Sequence, residues 1–424
     1  MMPAMTPEPS SPANPPAALQ LATLFALIYF VQGIAEPTEG LIAQPVRSLL
    51  TDWSWSASQI SHFMAMLALP WAIKPLYGLL IDFVPLGRSR RRHYLLLSTG
   101  VTAVSLIGLS VAMPESHASR RLFCLLLIPT IGVAFSDVVA DALMVEQGQP
   151  RNLTGRLQSV QWAAMCSAAV LSGWLGGRLS HTGNQELGLQ ICGAAAAVSC
   201  VIAAIWIRDS EPHRTAVGFR GRLDVLLATA ADRRFLTVSA FLFLWNFNPW
   251  SSVIQELHLI RHAGLTREQY GLTISLFSLA SIGACLVYGF LCRVIPVRWM
   301  VHLAIAGGAI STLAYLGVSD ARSAMAVSVI SGAFYMLGNL IQLDLAARIC
   351  PAAVAGSYFA LLMSVTNIAL ILATSLGGHL YENLSTVGTA ASACRCLIWL
   401  GGAITASCWF LTPRLLEHQP IRER

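Results

Sequence analysis

Charge is scarce in this 424-residue chain. Asp, Glu, Lys and Arg make up 11% of it and hydrophobic residues 55%, whereas an ordinary soluble domain is roughly a quarter charged. That excludes a normal water-facing globular surface. Lysine is nearly absent, with Lys74 as the only one. The ten cysteines form no CxxC pair and no His/Cys cluster at metal spacing, and they sit mostly inside apolar runs as small core residues. No glycine loop ending in GKS or GKT, no nucleophile elbow and no HExxH occurs. ATP-driven work within the chain and common hydrolase chemistry therefore lack their residues, and neither an enzyme nor a cofactor is expected. Residues 1–18 contain no Lys or Arg and are rich in Pro, Ala and Ser. They lack the basic start of a signal or transit peptide and read as a disordered tail, with the first span directing insertion.

What is present is a series of apolar runs long enough to cross a hydrocarbon core of about 30 Å. They predict spans at 19–47, 58–82, 94–113, 122–147, 156–180 and 188–207, then at 235–259, 268–291, 298–318, 323–348, 356–381 and 392–412. The expectation is an all-α membrane protein of 12 transmembrane helices. A six-helix bundle over 19–207 and another over 235–412 flank a linker at 208–234, and a tail follows at 413–424. The formal charge is +6, but the arginines lie in short loops and make no separate basic face, which argues against nucleic acid. Of the 27 Lys and Arg, 18 fall in segments on the side of the termini and 8 on the opposite side, and Lys74 lies within a span. Both termini are expected to be cytoplasmic.

The two sets of spans repeat one another. Tyr77-Gly78 followed by Pro85 returns as Tyr288-Gly289 followed by Pro296. Pro150 and Gly155 return as Pro351 and Gly356, and LGG ending at Gly177 returns ending at Gly378. Glu36-Pro37 has a counterpart in Asn248-Pro249, and capping boxes Ser56/Gln59 and Thr266/Gln269 precede spans two and eight. Five such matches in one order make the halves related, as in the major facilitator fold. The LGG segments fit close helix packing.

A charged side chain in hydrocarbon costs several kcal/mol unless it is paired or faces a water-filled cavity, so intramembrane charges are functional candidates. Lys74 lies eight residues before Asp82, about 12 Å inside the membrane edge, and Asp137 in span four lies about 13 Å deep, so the two can pair. They either form a static pair or open to meet an anionic group. Asp137 and Asp141, four apart, share a helix face. Glu36 and Glu39 occupy the outer half of span one. They suit proton coupling, or are wetted in an outer vestibule with Arg47 as partner. Asn246, Asn248, Gln255 and Glu256 of span seven, with Asn339, Gln342 and Asp344 of span ten, face them as mainly neutral hydrogen bonders. Phe30, Trp71, Tyr77, Trp162, Trp245, Trp250 and Tyr335 either stack on a flat heterocycle or pack helices. The substrate-binding set is Lys74, Trp71, Asp137, Asn246, Asn248 and Trp162. No metal site is expected.

The stretch GLLIDFVPLGRSRRR at 78–92 resembles the signature between spans two and three of major facilitator transporters. In its longer form, KPLYGLLIDFVPLGRSRRRHYLLL, together with SDVVADALMVEQ at 136–147 and GRLQSVQW at 155–162, the chain resembles the folate-biopterin transporter family over nearly all its spans. The resemblance implies proton-linked uptake of folates or pterins by alternating access. It singles out Lys74, Gly78, Asp82, Pro85, Arg90, Arg91, Asp137, Asp141, Glu146, Gly155 and Gln158. Of these, Gly78, Asp82, Arg90, Arg91, Asp141 and Glu146 would form a cytoplasmic gate. Related permeases for muropeptides and acetyl-CoA share the pattern Asp137-x-x-x-Asp141-Ala.

The reading is a secondary transporter of a small organic anion, folate or pterin first, with protons as possible co-substrate. It is expected as a monomer in a bacterial inner membrane. A muropeptide or other anion as cargo, and a non-transporting receptor or scaffold, are the alternatives.

Overall fold

Each of the twelve expected runs is mainly helical, and the boundaries lie within six residues of their expected places, span eleven ending at Val387 rather than 381. The computed structural model describes residues 15–84, 86, 90–114, 118–148, 153–207, 232–349 and 355–416. The expected disordered tail (apart from 15–18), nearly all of the linker and residues 417–424 lie outside the described residues.

Three spans are interrupted. Span one runs as Pro15–Ala35 and Ala43–Asp52, span two as Ala57–Leu67, Leu69–Ala72 and Lys74–Phe83, and span seven as Arg233–Asn246 and Ser252–Arg261. Spans three to six are Arg90–Val111, Ser119–Gly148, Thr154–Thr182 and Gln185–Trp206. Spans eight to eleven are Arg267–Val294, Val297–Leu313 with a 3-10 turn at Ala314–Gly317, Ala321–Ile349 and Ala355–Val387. Span twelve starts at Ala390–Ser407 and ends in short turns to Leu416. Among the described residues, eight helices are each long and apolar enough to cross a membrane. The other four spans are the three interrupted ones and span five, which is rich in Ser, Gly and Gln.

The interruptions have local causes. Proline lacks an N–H and pushes the preceding residue away from helical geometry. Before Pro37, the carboxylate of Glu36 accepts the backbone N–H of Thr38 at 2.9 Å. It also accepts the N–H of Glu39 and the hydroxyl of Thr38. Before Pro249, Asn248 Oδ1 accepts the N–H of Trp250 at 3.0 Å, and Asn248 Nδ2 donates to Thr312 Oγ1 at 2.8 Å. The same device, a polar side chain two residues back, supports both breaks. In span two, Pro70 and Pro75 each open a new helical piece.

The expected capping boxes form. Ser56 and Gln59 cap span two, and Thr266 and Gln269 cap span eight. Spans five and eight, and spans two and eleven, pack across the interface between halves. Aliphatic and aromatic side chains such as Leu76, Val104, Leu286, Phe290 and Phe410 stand exposed around the outside. A surface this apolar belongs against lipid, and the protein is a multi-pass integral membrane protein of two pseudo-symmetric six-helix bundles.

Candidate functional site

Span two brings Lys74 to the face of span four. Its Nζ lies 2.6 Å from Asp137 Oδ2, and the two side chains are 16% and 8% exposed. The ammonium also sits 4.4 Å from the centre of the Trp71 ring, where the aromatic face attracts a cation. The other carboxylate oxygen of Asp137 accepts Gln32 Nε2 at 2.6 Å. One turn further along span four, Asp141 accepts the Tyr29 hydroxyl. Asp141 is exposed, unlike Asp137.

Tyr29 and Gln32 were not singled out by the sequence, yet they orient both aspartates. A signal was present. Tyr29, Gln32 and Glu36 follow the i, i+3, i+7 spacing of one helix face in an otherwise apolar run. Behind Gln32 is a cavity of about 20 Å³ lined by Thr99, Thr102, Ser136 and Ser199 among others. Gln32 Oε1 is buried without a protein partner, and the space suits one water molecule.

Glu36 lies at the break of span one, where Trp71 Nε1 donates to it at 3.3 Å in addition to its backbone bonds. Glu39, one turn on, is exposed, with Ser252 Oγ of span seven 3.3 Å away. Arg47 does not serve these two as its main partner. It pairs instead with Glu256 of span seven at 2.5 Å, with side chains only 4% and 6% exposed. Burial explains the choice, because a guanidinium held away from water needs a carboxylate in direct contact.

Besides Glu256 and Asp344, the C-terminal half carries a chain of neutral amides bonded to one another. Asn246 Nδ2 donates to Gln342 Oε1 and Gln342 Nε2 donates to Asn339 Oδ1, both at 2.9 Å. Gln342 stands 201 residues after Asp141, the offset shared by the Pro150/Pro351 and Gly177/Gly378 pairs. Asn248 is engaged at both ends of its amide by the fold. Trp162 packs with Cys166, Cys285 and Met336 where spans five, eight and ten meet. Trp245 lies against Tyr335 with ring centres 5.5 Å apart and planes tilted by 34°, and it donates to Ala304 O. The structure therefore gathers Lys74, Trp71, Asp137 and Asp141, with Asn248 bonded at the break of span seven and Trp162 packed at the junction of spans five, eight and ten. Gly78 faces Val138 of span four, and Arg91 lies at the start of span three. The side chains of Asp82, Arg90 and Glu146 lie outside the described residues.

The end remote from the chain termini is sealed between halves. Besides Arg47–Glu256, Arg267 holds Asp52, Gln44 donates to Arg267 O at 2.7 Å, and the N–H of Ser58 donates to Glu382 at 2.9 Å. The LGG pairs complete the seam. Methyl groups added at Gly177 and Gly378 would lie 2.8 Å from Gly271 Cα and 2.5 Å from Ser61 Cβ of the opposite half. Their predecessors, Gly176 and Gly377, press against Leu41 and Pro249 at the breaks of their own halves.

Two related bundles with polar groups converging at mid-depth have the major facilitator fold of membrane transporters. Nucleoside transporter NupG superposes with a TM-score of 0.71 at 12% identity, over 94% of this chain and 100% of that one. A D-xylose-proton symporter gives 0.69 at 11% identity, over 93% and 97%. At such identity these likenesses show the fold alone. The chain belongs to the BT1 family, which it matches over residues 32–421. A folate-biopterin transporter of Synechocystis sp. is 27% identical over 384 residues, covering 85% of this chain and 75% of that protein. Probable folate-biopterin transporter 2 of Arabidopsis thaliana is 25% identical over 359 residues, covering 78% and 70%.

Proposed function

We propose that the protein moves a folate or pterin across the membrane by alternating access, with protons as the coupling ion. The observation that carries this reading is the Lys74–Asp137 pair at mid-depth, beside an exposed Asp141, in a chain whose relatives are named for folate and biopterin. A static brace would need the pair but no exposed acid next to it, since an intramembrane charge is retained only where it is compensated or used. With the halves sealed at the far end, the reading has the site reached from the side of the termini, and rocking of the halves would exchange its access. Glu39, exposed and close to span seven, is the coupling candidate on span one, and Glu36 is its neighbour at the break. The arginine bias supports cytoplasmic termini, and the reading places the protein as a monomer in a bacterial inner membrane.

The test is uptake of labelled folate and pterin into proteoliposomes under an imposed pH gradient. Gradient-dependent uptake is expected, and Lys74→Ala and Lys74→Arg should each abolish it while leaving the protein in the membrane. Flux of muropeptides in place of pteridines, or no flux of any solute, would overturn it.

A further inference from the structure

The charges buried in the spans are already spoken for. Among the described residues, Lys74 is paired with Asp137 and Arg47 with Glu256. A substrate carboxylate arriving at either cation would have to displace a protein carboxylate and leave it uncompensated in the interior. Asp141 is different. It is exposed, one oxygen accepts Tyr29, and the other has no protein hydrogen-bond partner among the described residues. Its counterpart in the other half is the neutral Gln342, whose amide is taken up by Asn246 and Asn339. Among the described residues, Asp141 thus stands out at this depth as an exposed carboxylate, on the N-terminal side.

We infer that Asp141 reads the substrate through a hydrogen-bond-donating heterocyclic edge, the adjacent ring N–H and exocyclic amine of a 2-amino-4-oxopyrimidine, and that an acidic tail contributes little to recognition. This rests on the transport reading above and specifies which part of a pteridine the site holds. Two parallel N–H donors match the geometry of a carboxylate, and a charged acceptor makes each bond stronger than a neutral one. The 4-oxo group next to that edge is an acceptor, and the Lys74 ammonium, already at Asp137, stands on the neighbouring turn as its donor. Trp71, stacked under Lys74 at 4.4 Å, gives the flat ring an aromatic wall. The N-terminal half thus offers an acceptor and a donor in the order in which this ring presents donors and an acceptor.

The test is binding to the purified full-length protein in lipid nanodiscs, read by isothermal titration and by thermal shift. Pterin is compared with lumazine, which has an oxo group where pterin has the amine, and with p-aminobenzoylglutamate, the acidic part of folate without the pteridine. Guanine carries the same edge on a smaller ring system and separates the two sources of that edge. Pterin should bind roughly tenfold to a hundredfold more tightly than lumazine, and p-aminobenzoylglutamate should not bind. Asp141→Asn, which keeps the shape and turns one acceptor oxygen into a donor, should weaken pterin by a similar factor and close the gap to lumazine. Asp141→Glu should keep the preference in part. Equal binding of pterin and lumazine, or binding of p-aminobenzoylglutamate, would overturn the inference while leaving pteridine transport standing. If no pteridine binds at all and another solute does, the transport reading fails first. Guanine binding like pterin supports recognition by the edge alone, and guanine rejected while pterin binds supports the edge together with the second ring.

Discussion

Arg47 and Glu256 meet from opposite halves of the molecule, in the second segments of the interrupted spans one and seven, with 2.5 Å between Nε and Oε2. Both are almost fully buried, so neither can be left alone cheaply. Removing one partner of such a pair costs about 3–5 kcal/mol, because the other charge stays in the interior. Arg47→Gln or Glu256→Gln should therefore weaken the seal and cut transport by tenfold or more, whereas the reversed pair Arg47→Glu with Glu256→Arg should recover much of it. Alkylation of a cysteine placed behind the seam, measured with a membrane-impermeant reagent, checks the direction. Unchanged accessibility in the single variants would show that the pair is not a latch.

The glycines of the seam make a steric prediction. A methyl at Gly378 would meet Ser61 Cβ at 2.5 Å and Ser58 Cα at 2.9 Å, and one at Gly177 would meet the backbone of span eight, so neither neighbour can rotate away. Gly177→Ala and Gly378→Ala should therefore each cost about 1–3 kcal/mol in the sealed state and bias the protein toward the opposite opening. Fluorescence transfer between labels on spans five and eight reads the shift.

Glu36 and Glu39 should separate by experiment. Glu36 braces the break of span one with bonds to Thr38, Glu39 and Trp71. Glu36→Gln puts an amide N–H where one of those donors sits, and the midpoint of thermal unfolding should fall. Glu39→Gln removes a charge from an exposed group with a single long side-chain contact. It should leave the midpoint within about a degree or two, in line with surface substitutions of under 0.5 kcal/mol, while abolishing pH-driven accumulation.

Neutralising both members of the central pair should hurt folding less than neutralising one. Lys74→Ala leaves Asp137 buried with Gln32 as its remaining partner, and a loss of several kcal/mol is expected. Adding Asp137→Asn to it should restore thermal stability without restoring uptake. Coupling of the two substitutions near zero in a double-mutant cycle would mean the pair carries no stability.

Much of this was legible in the chain because it is written in periodic or local terms. Span limits follow from apolar length. Both capping boxes follow from four-residue motifs, and the pairing of Lys74 with Asp137 follows from equal depth. The breaks were marked by Glu36-Pro37 and Asn248-Pro249, but a proline in a membrane helix does not say whether the chain kinks or stops, since neighbouring groups can re-satisfy the backbone. Arg47 was harder. Its nearest acids in sequence are Asp52 and Glu39, and its partner lies 209 residues away, a relation fixed only when the halves pack. Asn248 looked available because an amide in a span usually signals a ligand or a neighbouring helix, and here the break of its own span consumes it.

The LGG pairs place two different mechanical duties on adjacent residues. Gly176 and Gly377 bear on the corner of their own bundle, while Gly177 and Gly378 bear on the opposite bundle, which slides past them in the alternating access proposed above. Neighbours on a helix point about 100° apart, so one peptide unit separates a mount from a bearing. A stroke that parts the bundles shears the second contact and leaves the first at rest. The stretch of chain where rigid body ends and moving surface begins is thus a single residue wide, and it occurs twice, once on each side of the pseudo-twofold axis.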